Sequence, residues 1–121
     1  MRTLFLFALI CLIPIAHARD AKQDARIGHL ISSVESLEGA AFLRNGNEYD
    51  PKAAAAHLRL KLRKAGDRVI TAGDFIDGLA SKSSVSGKPY QIRKSDGTTV
   101  NTRQFLYTRL KEYDKEHGAR P

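Results

Sequence analysis

The chain has 121 residues, 20 Lys and Arg against 13 Asp and Glu, a formal net charge of +7, one Cys, one Met and no Trp. A chain this short fits one domain of ~100–150 residues, which excludes a multidomain enzyme, a solenoid of several repeats and a polytopic membrane protein. A lone Cys excludes an intrachain disulfide framework, and a hydrophobic content of 42% suffices for a small core and excludes full disorder.

The first element is an address. Arg2 precedes an apolar run from Leu4 to Ile15, and Ala16-His17-Ala18 places small residues where a signal peptidase reads them. This three-part pattern predicts a secretory signal over residues 1–18, cleaved after Ala18. The run is too short for a membrane anchor, because a helix needs ~20 residues to cross the hydrocarbon core. No stable membrane span is therefore expected after cleavage. Cleavage removes Arg2, Cys11 and Met1, leaving a chain without Cys, Met or Trp. Such a chain does no thiol chemistry and suits an oxidising compartment.

Residues 19–114 read as one α+β domain of about four helices with a small antiparallel β-sheet. A first helix spans Asp20 to Leu37, with Ile27, Leu30, Ile31, Val34 and Leu37 on one stripe. Phe42-Leu43-Arg44 is a short extended run, and Asn45-Gly46 a turn dipeptide that tolerates positive φ. Asp50-Pro51 opens a second helix, Asp as N-cap and Pro in the first turn, which ends at Gly66. On it Ala54, Ala55, Leu58, Leu62 and Ala65 share one face and Ala53, Ala56 and Leu60 the opposite one, so both faces are expected to pack. Between them lie two basic flanks: His57, Lys61 and Lys64 on one side, Arg59 and Arg63 on the other.

Thr71 and Asp74 have the spacing of a capping box, starting a short third helix with Phe75, Ile76 and Leu79 inward. A serine-rich loop over 81–86 and a turn at Gly87-Lys88-Pro89 lead into an alternating strand, Tyr90 to Arg93. Ser95-Asp96-Gly97 turns the chain toward a second strand at Thr98 to Val100. Asn101 or Thr102 caps a last helix carrying Phe105, Leu106, Leu110 and Tyr113 inward, and residues 115–121 are expected to form a flexible tail.

The residues offer little for catalysis. Beyond the leader there are three histidines, His29, His57 and His117, and none belongs to a nucleophile-elbow or zinc-helix pattern. No catalytic residue, metal ligand or cofactor is expected. His57, four residues before Lys61, is either an anion contact or proton donor, or a partly buried histidine bonded to its surroundings. Lys52, Arg59, Lys61, Arg63, Lys64 and Arg68 form a basic stretch with Asp67 as its one acid. No aromatic residues interleave it to stack bases, and an exported protein rarely meets nucleic acid, so no nucleic acid is expected. The readings left are an anionic partner or a solvated face. The loop from Ser81 to Tyr90 is either an anion nest or docking loop, or a segment whose serines satisfy their own backbone.

Four stretches occur in order: Phe42-Leu43-Arg44-Asn45-Gly46, Ala55-Ala56-His57-Leu58-Arg59-Leu60-Lys61, Thr71-Ala72-Gly73-Asp74-Phe75-Ile76 and Ser83-Ser84-Val85-Ser86-Gly87-Lys88-Pro89-Tyr90. With them the chain resembles the YfeK-like family of small exported proteins of Gram-negative bacteria, a family of unknown function, over roughly Ala25 to Leu110. The resemblance implies a periplasmic location and no activity. It also implies cysteines near Ala40 and Lys94 in several relatives. This chain has none there, so any disulfide tying those segments is absent. The polar and turn members of the matching stretches are Arg44, Asn45, Gly46, His57, Arg59, Lys61, Ser84, Ser86, Gly87, Lys88 and Tyr90. The expectation is that the Arg44 segment and the Ser84 to Tyr90 loop lie side by side as neighbouring strands, with Arg44 bonding the serine loop.

The sequence therefore predicts a small periplasmic binding or interaction module for an acidic protein or anionic envelope component. Its expected contacts are Arg44, Asn45, His57, Arg59, Lys61, Ser84, Ser86, Gly87, Lys88 and Tyr90. The alternatives are a hydrolase-like enzyme using His57 with a nearby Ser, and a structural or stress-accessory protein with no ligand.

Overall fold

A computed structural model describes residues 19–118. The expected leader at 1–18 and residues 119–121 of the expected tail lie outside the described residues. The order is α1 (Ala21–Glu35), β1 (Ala41–Arg44), β2 (Asn47–Tyr49), α2 (Pro51–Ala65), a single 3₁₀ turn (Gly66–Arg68), α3 (Ala72–Phe75) continuing as a π turn (Ile76–Ala80), β3 (Gln91–Arg93), β4 (Thr99–Asn101) and α4 (Thr102–Glu116). This is the α+β domain that the periodicities predict, with four helices against one antiparallel sheet.

Local chemistry sets the boundaries. The carboxylates of Asp20 and Asp50 accept from the amides of Gln23 (2.9 Å) and Ala53 (2.7 Å), satisfying donors that the first turn of each helix leaves free. Thr71 and Asp74 form the full capping box of α3: Thr71 Oγ1 accepts from the Asp74 amide at 3.0 Å, and the Asp74 carboxylate accepts from the Thr71 amide at 3.1 Å. Asn45 and Gly46 both have positive φ, 51° and 79°, the conformation of a two-residue hairpin turn. That turn adds a strand the sequence pattern did not single out, β2, because three residues are too few to show alternation. At the other end α4 runs through Lys115 and Glu116, so the expected tail begins inside a helix.

The sheet order is β2-β1-β3-β4, antiparallel throughout. Its register aligns Tyr49, Phe42, Ile92 and Val100 in one row across all four strands. Side chains alternate faces along a strand, so this whole row turns toward the helices. There it meets Ile27, Leu30 and Val34 of α1, Ala55 and Leu58 of α2, Phe75 and Ile76 of the α3 segment, and Phe105 and Leu106 of α4. Burying a side chain such as Phe75, 0% exposed, contributes about 2–3 kcal/mol relative to leaving it in water. Extended by one residue, the β1–β3 register sets Ala40 opposite Lys94, so cysteines at those two positions would face each other across the pair.

Two expectations for α2 divide. Ala55, Leu58 and Ala65 are buried, with Ala54 and Leu62 packed beside them. The opposite face is not packed: Ala53 and Ala56 are exposed and Leu60 is 39% exposed. Three small or single apolar side chains bury too little area to recruit a second layer, so α2 lies on the core and is not sandwiched.

Candidate functional site

The site grows from strand alternation. Arg44 is two residues after Phe42 and Tyr90 two before Ile92, so both project from the sheet's helix-facing side. The β1–β3 register extended by one residue places Arg44 opposite Tyr90. The Thr102 amide donates to the Tyr90 carbonyl at 2.9 Å, continuing the row through Thr102. One row beyond the apolar Tyr49–Phe42–Ile92–Val100 line, the sheet thus ends in Arg44, Tyr90 and Thr102. Over that end runs the flank of α2 carrying His57, Lys61 and Lys64, spaced so that all three face one side.

The two elements meet through cations. Arg44 Nη1 lies 3.1 Å from His57 Nε2 and 3.4 Å from Nδ1. A guanidinium only donates, so the contact requires an unprotonated ring nitrogen. Burial first, then the charges of Arg44, Lys61 and Lys64, hold the His57 imidazole below its usual value of 6.5. Lys61 Nζ donates to the Leu79 carbonyl at 2.6 Å and to Tyr90 Oη at 3.2 Å, with its nitrogen 5.1 Å from the Tyr90 ring centre. Burial and then Arg44 lower the Lys61 ammonium, although both of its acceptors favour the charged form. Burial raises the Tyr90 phenol, and Arg44 pulls it the other way.

Two cavities meet at Arg44, His57 and Tyr90. The first, about 300 Å³, adds Lys61, Lys64, Arg68, Leu79 and the loop residues Ser83, Ser84 and Val85. No carboxylate lines it among the described residues. The second, about 200 Å³, is apolar, walled by Phe42, Tyr49, Ala53, Ala54, Leu58 and Ala80, and it includes Thr102. Among the described residues, Arg44, Lys61 and Lys64 have no carboxylate within ion-pair distance, whereas six other arginines do.

The structure brings Arg44, His57, Lys61 and Tyr90 together, with Ser84 at the rim. The Arg44 segment and the Ser84 to Tyr90 loop do lie side by side, with Asn45 bonded to Ser86, but the strand paired with β1 is β3, Gln91–Arg93, and the loop before it is a turn. Arg44 itself bonds His57 and not the serine loop. The bonds to the loop come from Asn45, whose Nδ2 donates to Ser83 Oγ at 3.0 Å and whose Oδ1 accepts from Ser86 Oγ. Arg59 is elsewhere: it faces α1 and pairs with Glu35 at 2.7 Å, because the flanks of a helix point to different neighbours. Lys88 projects to the other face of the sheet, beside Leu43, Glu48 and Gln91.

Four consecutive amides of the loop are occupied from within. The amides of Val85 and Ser86 donate to Ser83 Oγ, that of Gly87 to the Ser83 carbonyl, and that of Lys88 to Ser86 Oγ. Ser83, buried at 3% exposure, is the hub of a self-satisfied turn in which Gly87 supplies a φ of +71°. Amides so engaged do not make an anion nest.

Sequence reasoning left Lys64, Arg68 and the apolar walls out of the site. Lys64 was legible, seven residues after His57 on the same flank. Thr102 and Ala80 carried no signal, because only the tertiary fold brings them beneath α2. Among the described residues no group of His, Cys, Asp or Glu gathers as for a metal, and no helix is long and apolar enough to cross a membrane.

Fold and site define a small α+β domain whose sheet end carries a cation cluster beside an apolar cavity. The chain belongs to the Family of unknown function DUF5329, whose model matches residues 21–114. It is 39% identical over 83 residues to the "Uncharacterized protein YfeK" of Salmonella typhimurium strain LT2, a match covering 69% of each chain. No solved structure matches.

Proposed function

We propose that the protein is a binding module of the periplasm, acting after removal of residues 1–18, and that it takes an acidic protein or an anionic envelope component at the Arg44–His57–Lys61 cluster. The observation that carries this reading is the gathering of Arg44, Lys61 and Lys64 in one cavity without an ion-paired carboxylate among the described residues. Holding like charges together opposes folding, and an anion relieves that repulsion. A carboxylate or phosphate would meet two-pronged donors from Arg44 and a point charge from Lys61.

The hydrolase reading is weaker. Its base would be His57, yet the ring's contact among the described residues is Arg44, and neither a serine nor a carboxylate bonds it. A cation at that distance makes the imidazole a poorer proton acceptor.

The test is a titration with inorganic phosphate and with poly-L-glutamate, followed by amide chemical shifts. Binding should move the signals of residues 44, 57 and 61, weaken as salt rises, and drop about tenfold or more in an Arg44→Gln/Lys61→Gln double variant. Shifts that map elsewhere, or equal binding by the double variant, would remove the reading.

A further inference from the structure

The apolar cavity adjoining the cluster is not explained by binding an anion alone. Its volume of about 200 Å³ exceeds the ~150 Å³ that is enough to hold benzene in a protein interior. Its walls are Phe42, Tyr49, Ala53, Ala54, Leu58 and Ala80, and the small alanines at 53, 54 and 80 are what leave it open. Arg44 lines this cavity as well as the cationic one. An occupant here therefore has apolar walls around it and a guanidinium within reach.

A second observation points the same way. Thr102 lines the cavity and is 2% exposed, and its Oγ1 is buried without a hydrogen-bond partner among the described residues. A buried hydroxyl left unsatisfied is disfavoured, so such groups are rare unless something else completes them. An aromatic ring in the cavity offers this hydroxyl a weak acceptor in its π face.

We infer that this cavity takes the ring of an aryl carboxylate whose carboxylate pairs with Arg44. The inference rests on the anion-binding reading of the cluster and adds the chemical class of the ligand. The volume admits a benzene ring with a short arm. A carboxylate on a two-carbon arm suits a guanidinium at the cavity's edge, since both share a planar two-pronged geometry. The same chemistry occurs in a free arylalkanoic acid and at the C-terminus of a peptide ending in Phe.

The experiment is a set of calorimetric titrations of the protein with 3-phenylpropanoate, acetate, inorganic phosphate and N-acetyl-Gly-Phe. 3-Phenylpropanoate should bind more than about tenfold tighter than acetate, the effect of burying a phenyl ring. Ala54→Leu, which fills the cavity, should abolish that preference while phosphate binding at the cluster persists. Ala53→Phe, at an exposed wall position, serves as the second variant if Ala54→Leu does not fold. Tighter binding of N-acetyl-Gly-Phe than of 3-phenylpropanoate would assign the ligand to a peptide end, and the reverse to a free acid. If phosphate binds but 3-phenylpropanoate is no tighter than acetate, or both cavity variants keep the preference, the inference is overturned and the anion site stands. If phosphate and acetate leave the cluster untouched, the anion site falls with it.

Discussion

The seam of α1 and α4 and the end of the sheet both gather charged side chains between elements, and they do it in opposite ways. At the seam of α1 and α4, Arg26 Nε and Nη2 donate to the two carboxylate oxygens of Asp114 at 3.0 and 2.7 Å, and Nη1 donates to Gln23 Oε1 at 3.0 Å. The same Gln23 oxygen accepts from the Ala72 amide at 2.9 Å, so the seam also fastens the start of α3. Each donor there meets an acceptor, and the charges cancel. At the sheet end, Arg44, Lys61 and Lys64 face one another and a neutral His57. The closed network holds helices together; the open one is held together by the fold and leaves its charge available. Paired charges at an inter-element seam are a stabilising device, whereas like charges gathered in one place work against the stability of the fold.

The contrast can be broken by experiment, most strongly at the closed seam. Asp114→Ala leaves Arg26 partly buried without its carboxylate and should cost about 2 kcal/mol of stability, measured by urea unfolding, with phosphate binding unchanged. The effect is kept below the figure for a fully buried pair because Arg26 and Asp114 side chains are 18% and 27% exposed. A variant as stable as the parent would show that the seam is not a fastening. At the open cluster the pattern should invert. Arg44→Gln should weaken phosphate binding by about tenfold, near 1.4 kcal/mol, while its unfolding midpoint stays within error of the parent or rises. Loss of stability together with loss of binding would make Arg44 a structural residue.

The pH dependence sharpens the contrast further. Because the folded His57 titrates below 6.5, its value when unfolded, the unfolded chain takes the extra proton in the interval between the two. Its contribution to stability is complete above pH 6.5 and is lost as pH falls through the folded value. His57→Gln should flatten this part of the stability profile, measured by urea unfolding across pH, and a bound anion should move the His57 titration upward, read from the ring proton shifts. An upward-shifted His57 in the free protein would mean that the cations do not set its state. The smallest effect is expected at Thr102: Thr102→Val removes an unsatisfied buried hydroxyl and should change stability by no more than about 1 kcal/mol, in the stabilising direction. A loss larger than that would reveal a hydroxyl partner in solution.

Much of the fold was legible because it is written in local chemistry. Asp50-Pro51 and Gly66 bounded α2 to the residue, and Thr71 with Asp74 announced the start of α3. Ile27, Leu30, Ile31 and Val34 of the expected stripe are buried on α1, whereas Leu37 lies beyond its end at Glu35 and is partly buried. The site was legible in part. Arg44, His57, Lys61, Ser84 and Tyr90 lay in the recognised stretches and Lys64, Arg68 and Thr102 outside them, and the list mixed residues that only share a segment with residues that share a place. Arg59 stands two positions from His57 and Lys61 and serves a different interface, while Asn45 and Ser86 hold a turn. The opposite face of α2 looked apolar and is exposed, since pattern shows which side chains could be buried and not whether a neighbour arrives.

Length, charge, the leader pattern and the caps are properties of neighbouring residues, and the sequence by itself determined them. It set a single small α+β domain with a net charge of +7 and a basic helix at its centre. The tertiary structure alone decided the register in which residues 41–43 pair with 91–93, because register depends on contacts far apart in the chain. That register turns Arg44, Tyr90 and Thr102 into one row, lays His57 and Lys61 over it, and leaves a cavity where three alanines are too small to fill the space.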